Sequence, residues 1–152
     1  MTKKLVFYFL FISILFIQFS GAEEKFLSLK KSKVNVRYGP SFDSKIKYIY
    51  KKINLPIKQI DKKENFRRIV DLKNNSGWIH VSQLKKSNSI IILEDKILFK
   101  KSSNLSKPIA RLEKGRLLVI KKCKNIWCHI ITENYTGWIK AENIWGSIKQ
   151  NP

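Results

Sequence analysis

The sequence predicts an all-β protein built from two small, similar domains that follow one another along the chain. A Gly-Trp-Ile motif occurs at 77–79 and again sixty residues later at 137–139, which indicates a tandem repeat. Short β-branched runs alternate with turn residues at intervals of about 8 to 12 residues, as in sandwiches and barrels. No stretch after Ala22 keeps a helical period over three turns. We therefore expect two tandem β-barrels of about five strands each.

The segments of the two copies can be matched in order along the chain. Residues 34–37 of the first copy match 97–100 of the second, and 65–69 match 126–130. Turn residues separate these segments in both copies, which favours strands joined by tight connections. The repeat is made of recurring apolar positions and not of reactive groups, so it predicts architecture more directly than chemistry.

The domain limits follow from the repeat and from the composition between its copies. We expect a first barrel over 23–85, a short linker over 86–90, a second barrel over 91–147 and a tail over 148–152. The Lys-Lys-Ser-Asn-Ser segment between the copies is too short to let the domains move freely. Each copy is small enough to be marginally stable alone, so the two copies are expected to pack together.

Residues 1–22 have the pattern of a signal peptide. Lys3 and Lys4 precede an apolar run over 5–19, and Ser20-Gly21-Ala22 offers a small-residue cleavage site. The alternative is an uncleaved membrane anchor, but the apolar run is shorter than the roughly 20 residues that a spanning helix needs. We therefore expect cleavage after Ala22, a periplasmic location and no stable transmembrane anchor in the mature chain.

The chain is strongly basic, with a net charge of +20 that falls to +18 once the two lysines of the signal peptide are removed. Such a charge attracts anionic surfaces and polymers. Nucleic acid is excluded as a partner because it is rare outside the cytoplasm. Only five of the 31 basic residues are arginine, and the abundance of Lys, Ile and Asn is typical of an AT-rich genome. Part of the charge therefore reflects composition and not ligand binding.

The two cysteines, Cys123 and Cys128, both lie in the second copy, downstream of the predicted signal peptide. An oxidising compartment makes a disulfide the expected state of such a pair. The four residues between them allow the bond to close a hairpin. A metal site is the alternative, but His129 is the only further ligand nearby. We predict a disulfide and no bound metal or other cofactor.

Several motifs of the first copy resemble the bacterial SH3-like domain family. These are Val-Asn-Val-Arg-Tyr-Gly-Pro-Ser at 34–41, the aromatic residue Phe66, Gly-Trp-Ile-His at 77–80, and Leu84. The resemblance implies two SH3-like barrels. Such domains are often appendages of wall-cleaving hydrolases that carry a separate catalytic domain, and no residues remain here to build one.

The second copy resembles the family less. It keeps Trp127, Gly-Trp-Ile at 137–139 and Ile144, but the Gly-Pro turn is missing, and we expect the disulfide to offset that loss. The exported two-copy form with a Cys-x-x-x-Trp-Cys hairpin resembles one subgroup of the family, composed mostly of uncharacterised periplasmic proteins.

Structural roles are expected for the residues that shape turns and cover the barrels. Glycine and proline fit a tight turn, and Asn35 is placed to hydrogen-bond the adjacent loop. The glycine of each Gly-Trp pair is expected to permit close backbone approach at a strand whose Trp covers the barrel. The residues assigned these roles are Asn35, Gly39, Pro40, Gly77, Trp127, Gly137 and Trp138.

No catalytic constellation is found in the sequence. His80 matches Lys140 in the other copy and His129 matches Arg68, so neither histidine belongs to a repeated site. The acidic residues are scattered among turns, and no Ser or Cys is paired with a plausible base. We therefore predict a binding protein and not an enzyme.

Two binding functions remain open. In the first, an aromatic and basic groove recognises peptidoglycan or another cell-envelope component, with cationic side chains reaching carboxylates. In the second, the chain is an adaptor that binds a periplasmic protein through loops or strand edges. For the tyrosines and Trp78, the alternative to ligand contact is a place in or on the barrel. The candidate ligand residues are Arg37, Tyr38, Phe42, Tyr48, Tyr50 and Trp78.

Overall fold

The computed structural model describes residues 24–148, and these form two successive antiparallel sheets with no α-helix. The predicted signal peptide and most of the predicted tail lie outside the described residues. Within 24–148 no helix has the length and apolar character needed to cross a membrane. The prediction of an all-β chain with two tandem domains is confirmed.

The first sheet has seven strands in the order β3-β2-β6-β5-β4-β1-β7. A short 3-10 helix, Val81–Gln83, precedes its last strand. The strands are β1 (Phe26–Leu29), β2 (Val34–Arg37), β3 (Ile46–Tyr50), β4 (Pro56–Lys63), β5 (Phe66–Val70), β6 (Ser76–His80) and β7 (Leu84–Lys86).

The second sheet repeats this topology, with seven strands in the order β10-β9-β13-β12-β11-β8-β14. Its strands are β8 (Ser89–Ile92), β9 (Lys96–Phe99), β10 (Pro108–Leu112), β11 (Leu117–Lys124), β12 (Trp127–Ile131), β13 (Thr136–Lys140) and β14 (Ile144–Gly146).

The sheets differ from the expected five-stranded barrels in two ways. Each has seven strands because short terminal segments also pair. The strands at the two ends of each order, β3 and β7 or β10 and β14, do not pair with each other, so each sheet is open and not a closed barrel. Only Ser87 and Asn88 separate the sheets, and Ser89 and Ile90, assigned above to the linker, are buried in β8.

Each sheet encloses its own apolar core, as period-two alternation along its strands requires. The first core contains Ile57, Ile69 and Ile79, all fully buried. Its counterpart in the second sheet contains Leu118, Ile130 and Ile139, at the matching positions. A β-bulge is also duplicated. It lies between Gln59 and Asp61 in β4 and between Ile120 and Lys122 in β11.

The register of the second copy corrects one sequence match. Arg37 pairs with Trp78 and Phe99 pairs with Trp138, so residues 34–37 correspond to 96–99 and not to 97–100. Lys96 therefore occupies the inward position of Val34. Its side chain is buried, and its ammonium group lies 2.8 Å from the Glu94 carboxylate.

Gly77 and Gly137 lie where two strands approach each other closely. A Cβ atom at Gly137 would lie 2.6 Å from the backbone oxygen of Phe99 on β9. At Gly77 it would lie 3.0 Å from the backbone oxygen of Arg37 on β2 and would overlap the Val36 side chain. Glycine is needed here for space, since neither residue has a positive φ.

Cys123 and Cys128 form the predicted disulfide, which is confirmed. They face each other across the β11–β12 hairpin, with their Cα atoms 4.1 Å apart, and both side chains belong to the second core. Asn125, at φ 53°, forms part of the turn that closes this hairpin, and Glu64 adopts a similar φ of 46° in the matching hairpin of the first sheet. The disulfide thus reinforces one of two equivalent hairpins.

Replacing both Cys123 and Cys128 with alanine is expected to lower the free energy of unfolding by about 2 kcal/mol, because the bond restricts a short loop of the unfolded chain. Urea unfolding of the second sheet, followed with and without reductant, measures this loss. Reductant should affect the wild-type protein and leave the double variant unchanged. Two titratable thiols in the native, unreduced protein would contradict the prediction.

The two sheets contact each other through polar side chains that are buried between them. The hydroxyl groups of Ser28 and Ser89 lie 2.7 Å apart, and Ser89 Oγ also donates to the Asn54 carbonyl at 2.5 Å. Nearby, the Trp145 indole Nε1 donates to the Pro56 carbonyl at 3.1 Å. These bonds fix the turn before β4 against the second sheet.

Candidate functional site

The outer face of the first sheet brings cationic and aromatic side chains together on β2, β6 and β5. Alternation turns Val36 and Ile79 into the core and leaves their neighbours outside. Arg37 and Arg68 both stand opposite Trp78 in the strand register, one from each flanking strand. A half-buried Trp with an arginine on either side is therefore fixed by strand pairing and not by a loop.

A shallow pocket of about 210 Å³ opens on this face, and we call it the Trp78 pocket. Lys47 contributes from the edge strand β3, where its Nζ donates to the Ser76 carbonyl at 2.9 Å and lies 5.6 Å from the centre of the Tyr38 ring. No acidic residue lines it. The lining residues are Arg37, Tyr38, Lys47, Arg68, Ser76, Gly77 and Trp78.

Arg37 also shapes the loop between β2 and β3. Its Nη1 donates to the carbonyl of Phe42 at 2.9 Å and to that of Ser44 at 2.7 Å. Gly39 lies against the Ser44 side chain, at a distance that a Cβ would disturb. The Arg37 side chain thus stabilises the loop that follows its own strand. Its Nη1 is used in these loop hydrogen bonds, and the rest of the guanidinium is not.

Phe42, at the tip of that loop, packs over the aromatic residue of β5. Its ring centre lies 5.2 Å from that of Phe66 and 4.8 Å from that of His80, although 61% of Phe42 is exposed. His80 is held in place because its Nδ1 lies 2.8 Å from the Ser82 hydroxyl. These rings extend the outer face beyond the Trp78 pocket, with Arg37 between them.

Tyr48 and Tyr50 do not line the Trp78 pocket. Their hydroxyl groups lie 3.3 Å apart, and that of Tyr50 donates to Asp71 Oδ2 at 2.9 Å. Asp71 also accepts the backbone N–H of Asn75, so the buried carboxylate organises the turn before β6. Burial raises the pKa of both tyrosines, with the Asp71 charge adding to it, so both stay protonated donors. We assign them a structural role.

Tyr50→Phe is expected to lower stability by about 1 kcal/mol, since Asp71 loses one of its donors while the ring stays in place. The variant should bind ligand like the wild type, because the hydroxyl group faces Asp71 and not the Trp78 pocket. Thermal unfolding and a sacculus-binding assay measure the two effects. A sharp loss of binding with unchanged stability would indicate that the Tyr50 hydroxyl group contacts the ligand.

The second copy builds a different face from the same positions. Phe99 replaces Arg37 and His129 replaces Arg68, so Trp138 has no arginine on either side. The His129 ring lies 5.1 Å from the Trp138 ring, and Lys122 Nζ lies 5.7 Å from it. Burial, helped by Lys122 and Lys121, lowers the pKa of His129 below its ordinary value, so the imidazole is neutral at pH 7.

The aromatic residues of the two Gly-Trp motifs occupy the same strand position in both sheets. Trp78 and Trp138 are half-buried and belong to neither core cluster. Trp127 is 91% buried, but it also lies outside the core cluster, against Phe99 and below Lys140. Trp78 is thus available to a ligand, whereas Trp127 is covered.

Sequence reasoning missed Lys47, Arg68 and Ser76 as members of the Trp78 pocket. A signal for Arg68 was present, because it precedes the inward-facing Ile69 and so points outward from the same strand. Lys47 and Ser76 carried no comparable signal, since their place depends on the pairing of non-consecutive strands. Within residues 24–148 no group of three or more His, Cys, Asp or Glu side chains is placed to hold a metal ion.

Residues 24–148 thus form two tandem all-β modules, the first of which has a basic and aromatic outer face. A family model of the bacterial SH3 domain matches residues 30–86 and 97–146, which is most of the sequence. The chain belongs to the bacterial SH3 domain family. Domains of this family are binding modules, often for the cell wall.

Two solved structures similar to the chain are NlpC2 and NlpC1 from Trichomonas vaginalis. They share 12% and 11% sequence identity with it, at TM-scores of 0.38 and 0.36. The matched regions cover 84% and 82% of this chain but 50% and 46% of those chains, so it spans about half their length. No curated protein sequence matches the chain.

Proposed function

We propose that the chain is an exported, non-catalytic binding module that recognises peptidoglycan in the cell envelope, and that its first copy carries the site. The observation that carries this proposal is the Trp78 pocket, in which Arg37, Lys47 and Arg68 surround a half-buried indole. Peptidoglycan offers matching groups, because its stem peptides carry carboxylates and its sugar rings present apolar faces to aromatic side chains.

The electrostatics of the pocket support an anionic ligand. Arg37, Lys47 and Arg68 form no ion pair among residues 24–148, so their charges are not neutralised by a nearby carboxylate. Arginine binds carboxylates with two parallel hydrogen bonds, which gives direction as well as attraction. The face that is presented to the ligand is therefore complementary to a carboxylate beside an apolar ring.

Co-sedimentation with purified sacculi tests the proposal. Lys47→Gln with Arg68→Gln should weaken binding about tenfold, because two charge-assisted contacts are lost. The matched control, Lys62→Gln with Lys63→Gln, removes the same charge from β4, outside the pocket, and should leave binding nearly unchanged.

The salt dependence separates a site from diffuse attraction. Attraction among exposed charges is screened beyond about 8 Å at physiological ionic strength. Binding that survives moderate salt and depends on Arg68 supports the pocket. Equal losses in both lysine-containing variants, or loss of all binding at moderate salt, would reduce the interaction to electrostatic adhesion and contradict the proposal.

A periplasmic adaptor is the second candidate, and it is favoured by the open edge of the second sheet. Among residues 24–148, strand β10 pairs only with β9 and exposes Ile109, while Leu105, three residues before the strand, is 98% exposed. Unpaired strand edges with apolar side chains are sites for strand addition by a partner. Absence of sacculus binding together with specific capture of an envelope protein, lost on Ile109→Lys, would favour this function.

A further inference from the structure

Three turns lie together at one end of the first sheet, and we call them the basic turns. They join β1 to β2, β3 to β4 and β5 to β6, and they are residues 30–33, 51–55 and 71–75. The Asn54 N–H donates to the Leu29 carbonyl at 3.0 Å, which links the first two turns at the end of β1. The Tyr50 hydroxyl group, at the end of β3, donates to Asp71 in the third turn. Hydrogen bonds therefore hold the three turns against one another.

The basic turns concentrate positive charge. Their one acidic residue, Asp71, is buried and hydrogen-bonded to Tyr50. Their six lysines are all exposed, and none of them forms an ion pair among residues 24–148. Glu133 of the second copy lines the same cavity between the sheets as Lys52, but it forms no ion pair with that lysine. The lysines are Lys30, Lys31, Lys33, Lys51, Lys52 and Lys73.

The second copy shows that this charge does not follow from composition alone. The equivalent turns of the second sheet are residues 93–95, 113–116 and 132–135. They contain four acidic residues against two cations. Two of the four carboxylates, those of Glu94 and Asp95, form ion pairs with cations of neighbouring strands. Both copies have one topology and belong to one chain, so the excess of lysine at this end is specific to the first copy.

The basic turns also expose apolar side chains beside their lysines. Ile53 is 48% exposed and Leu72 is 38% exposed, and neither belongs to the first core. Each of these turns contains an asparagine with a positive φ, Asn54 at 63° and Asn74 at 62°, which fixes its shape. Aliphatic side chains next to lysines suit a surface in which charged headgroups cover an apolar layer.

The type of cation favours a membrane over a polymer with defined carboxylates. All cations of the basic turns are lysines, whereas the Trp78 pocket contains two arginines. Arginine binds one carboxylate through two parallel hydrogen bonds, but lysine acts as a point charge without a fixed direction. Clusters of about four to eight such charges attract the mobile headgroups of anionic lipids. A soluble polyanion, by contrast, has no apolar layer to receive Ile53 and Leu72.

We propose that the basic turns dock the protein on an anionic phospholipid membrane, with the lysines among the headgroups and Ile53 and Leu72 entering the apolar layer below them. The attachment is peripheral and reversible, because it depends on exposed charges and two small apolar contacts. The basic turns stand at the start of β2, whereas Arg37 ends that strand, and they share no residue with the lining of the Trp78 pocket. Membrane docking is therefore independent of wall binding.

Vesicle co-sedimentation of residues 23–152 tests the proposal. Vesicles made of equal parts of phosphatidylglycerol and phosphatidylcholine should bind the protein, and vesicles of phosphatidylcholine alone should not. The triple variant Lys31→Gln, Lys33→Gln and Lys51→Gln should weaken binding about a hundredfold, since each lysine at an anionic membrane contributes about a fivefold factor. Equal binding to both kinds of vesicle, or binding to neither, would overturn the proposal.

A matched control removes the same charge from the second copy, through Lys100→Gln, Lys101→Gln and Lys107→Gln. These lysines lie in or beside the loop between β9 and β10, which also exposes Leu105. The control variant therefore loses lysines that likewise accompany an apolar side chain. Binding should weaken less than about threefold, because exposed charges away from the membrane contact are screened beyond about 8 Å. Equal losses in the two triple variants would overturn the assignment to the basic turns.

Ile53→Ser with Leu72→Ser separates a membrane from a soluble polyanion. This variant keeps every lysine but should bind the anionic vesicles about tenfold more weakly, because less apolar surface enters the lipid. Its affinity for soluble polyglutamate should equal that of the wild type, and thermal unfolding verifies that it is folded. Unchanged vesicle binding would reduce the interaction to electrostatic adhesion and overturn the proposal. Trp78→Ala should leave vesicle binding unchanged, so failure here is distinguishable from failure of wall binding.

Discussion

Gly137→Ala is expected to destabilise the second sheet by roughly 3 kcal/mol, although it adds a single methyl group. The new Cβ would lie 2.6 Å from the Phe99 carbonyl oxygen and 3.0 Å from Leu98 Cγ. The carbonyl belongs to the backbone of β9, so relief requires β9 and β13 to move apart. Such a movement would disturb the packing of the fully buried Leu98 and Ile139.

Gly39→Ala is the matched control, since its nearest contact would also be short. The added Cβ would lie 2.7 Å from Ser44 Oγ, which is the end of a side chain that can rotate away. The expected cost is therefore below about 1 kcal/mol. Urea unfolding of both variants gives the comparison. Equal and small losses would show that β9 and β13 tolerate wider separation than the structure has.

The duplication could be predicted from the sequence because it is carried by residues with steric roles. Gly77 and Gly137 each precede an outward Trp and an inward Ile, and these positions recur at one spacing. The turns of the β4–β5 and β11–β12 hairpins recur in the same way. Such residue types recur at a fixed spacing, so the repeat is visible in a linear sequence before any strand pairing is known.

The register of β9 could not be predicted by matching apolar residues. Lys96 takes the inward position of Val34, and its charge is accommodated by Glu94 two residues earlier. Ile97 in turn is 42% exposed. A pattern of apolar residues alone places Ile97 inward, which shifts the match by one residue. A buried lysine paired with an exposed carboxylate thus concealed the alternation of inward and outward residues along β9.

The candidate site could be predicted only in part from the sequence, because the pairing of distant strands decides which side chains meet. Arg37 and Tyr38 are adjacent in one sequence motif and Trp78 belongs to another, and the three meet in the pocket. Tyr48 and Tyr50 look equally suited to a ligand, but the carboxylate that binds Tyr50 lies 21 residues further along the chain. Strand pairing decides whether a polar aromatic residue faces a ligand or a buried acceptor.

The contact between the sheets had no sequence signal at all. Ser28 and Ser89 are fully buried, and their hydroxyl groups bond each other and the Asn54 backbone. Serine in a linear sequence is typical of an exposed turn, because burying its hydroxyl group is costly unless a partner is available. Here each copy supplies the hydrogen-bond partner for the other.

Trp78→Ala is expected to weaken sacculus binding more than tenfold while lowering stability by only about 1–2 kcal/mol. A fully buried Trp removed in this way costs about 3–5 kcal/mol, but Trp78 is half-buried and outside the core cluster. The indole instead lies between Arg37 and Arg68 and lines the Trp78 pocket, so a ligand bound there loses its aromatic contact.

Trp138→Ala is the internal control for that prediction, since Trp138 has the same strand position and a similar degree of burial. Its neighbours are His129 and Lys122 and not two arginines, and the neutral imidazole offers less attraction for a carboxylate. Trp138→Ala should therefore lower stability to a similar extent and leave sacculus binding nearly intact. Co-sedimentation and urea unfolding on the same preparations separate the two effects. Equal losses of binding in both variants would place recognition on both copies, and a large loss of stability in Trp78→Ala would make that residue structural.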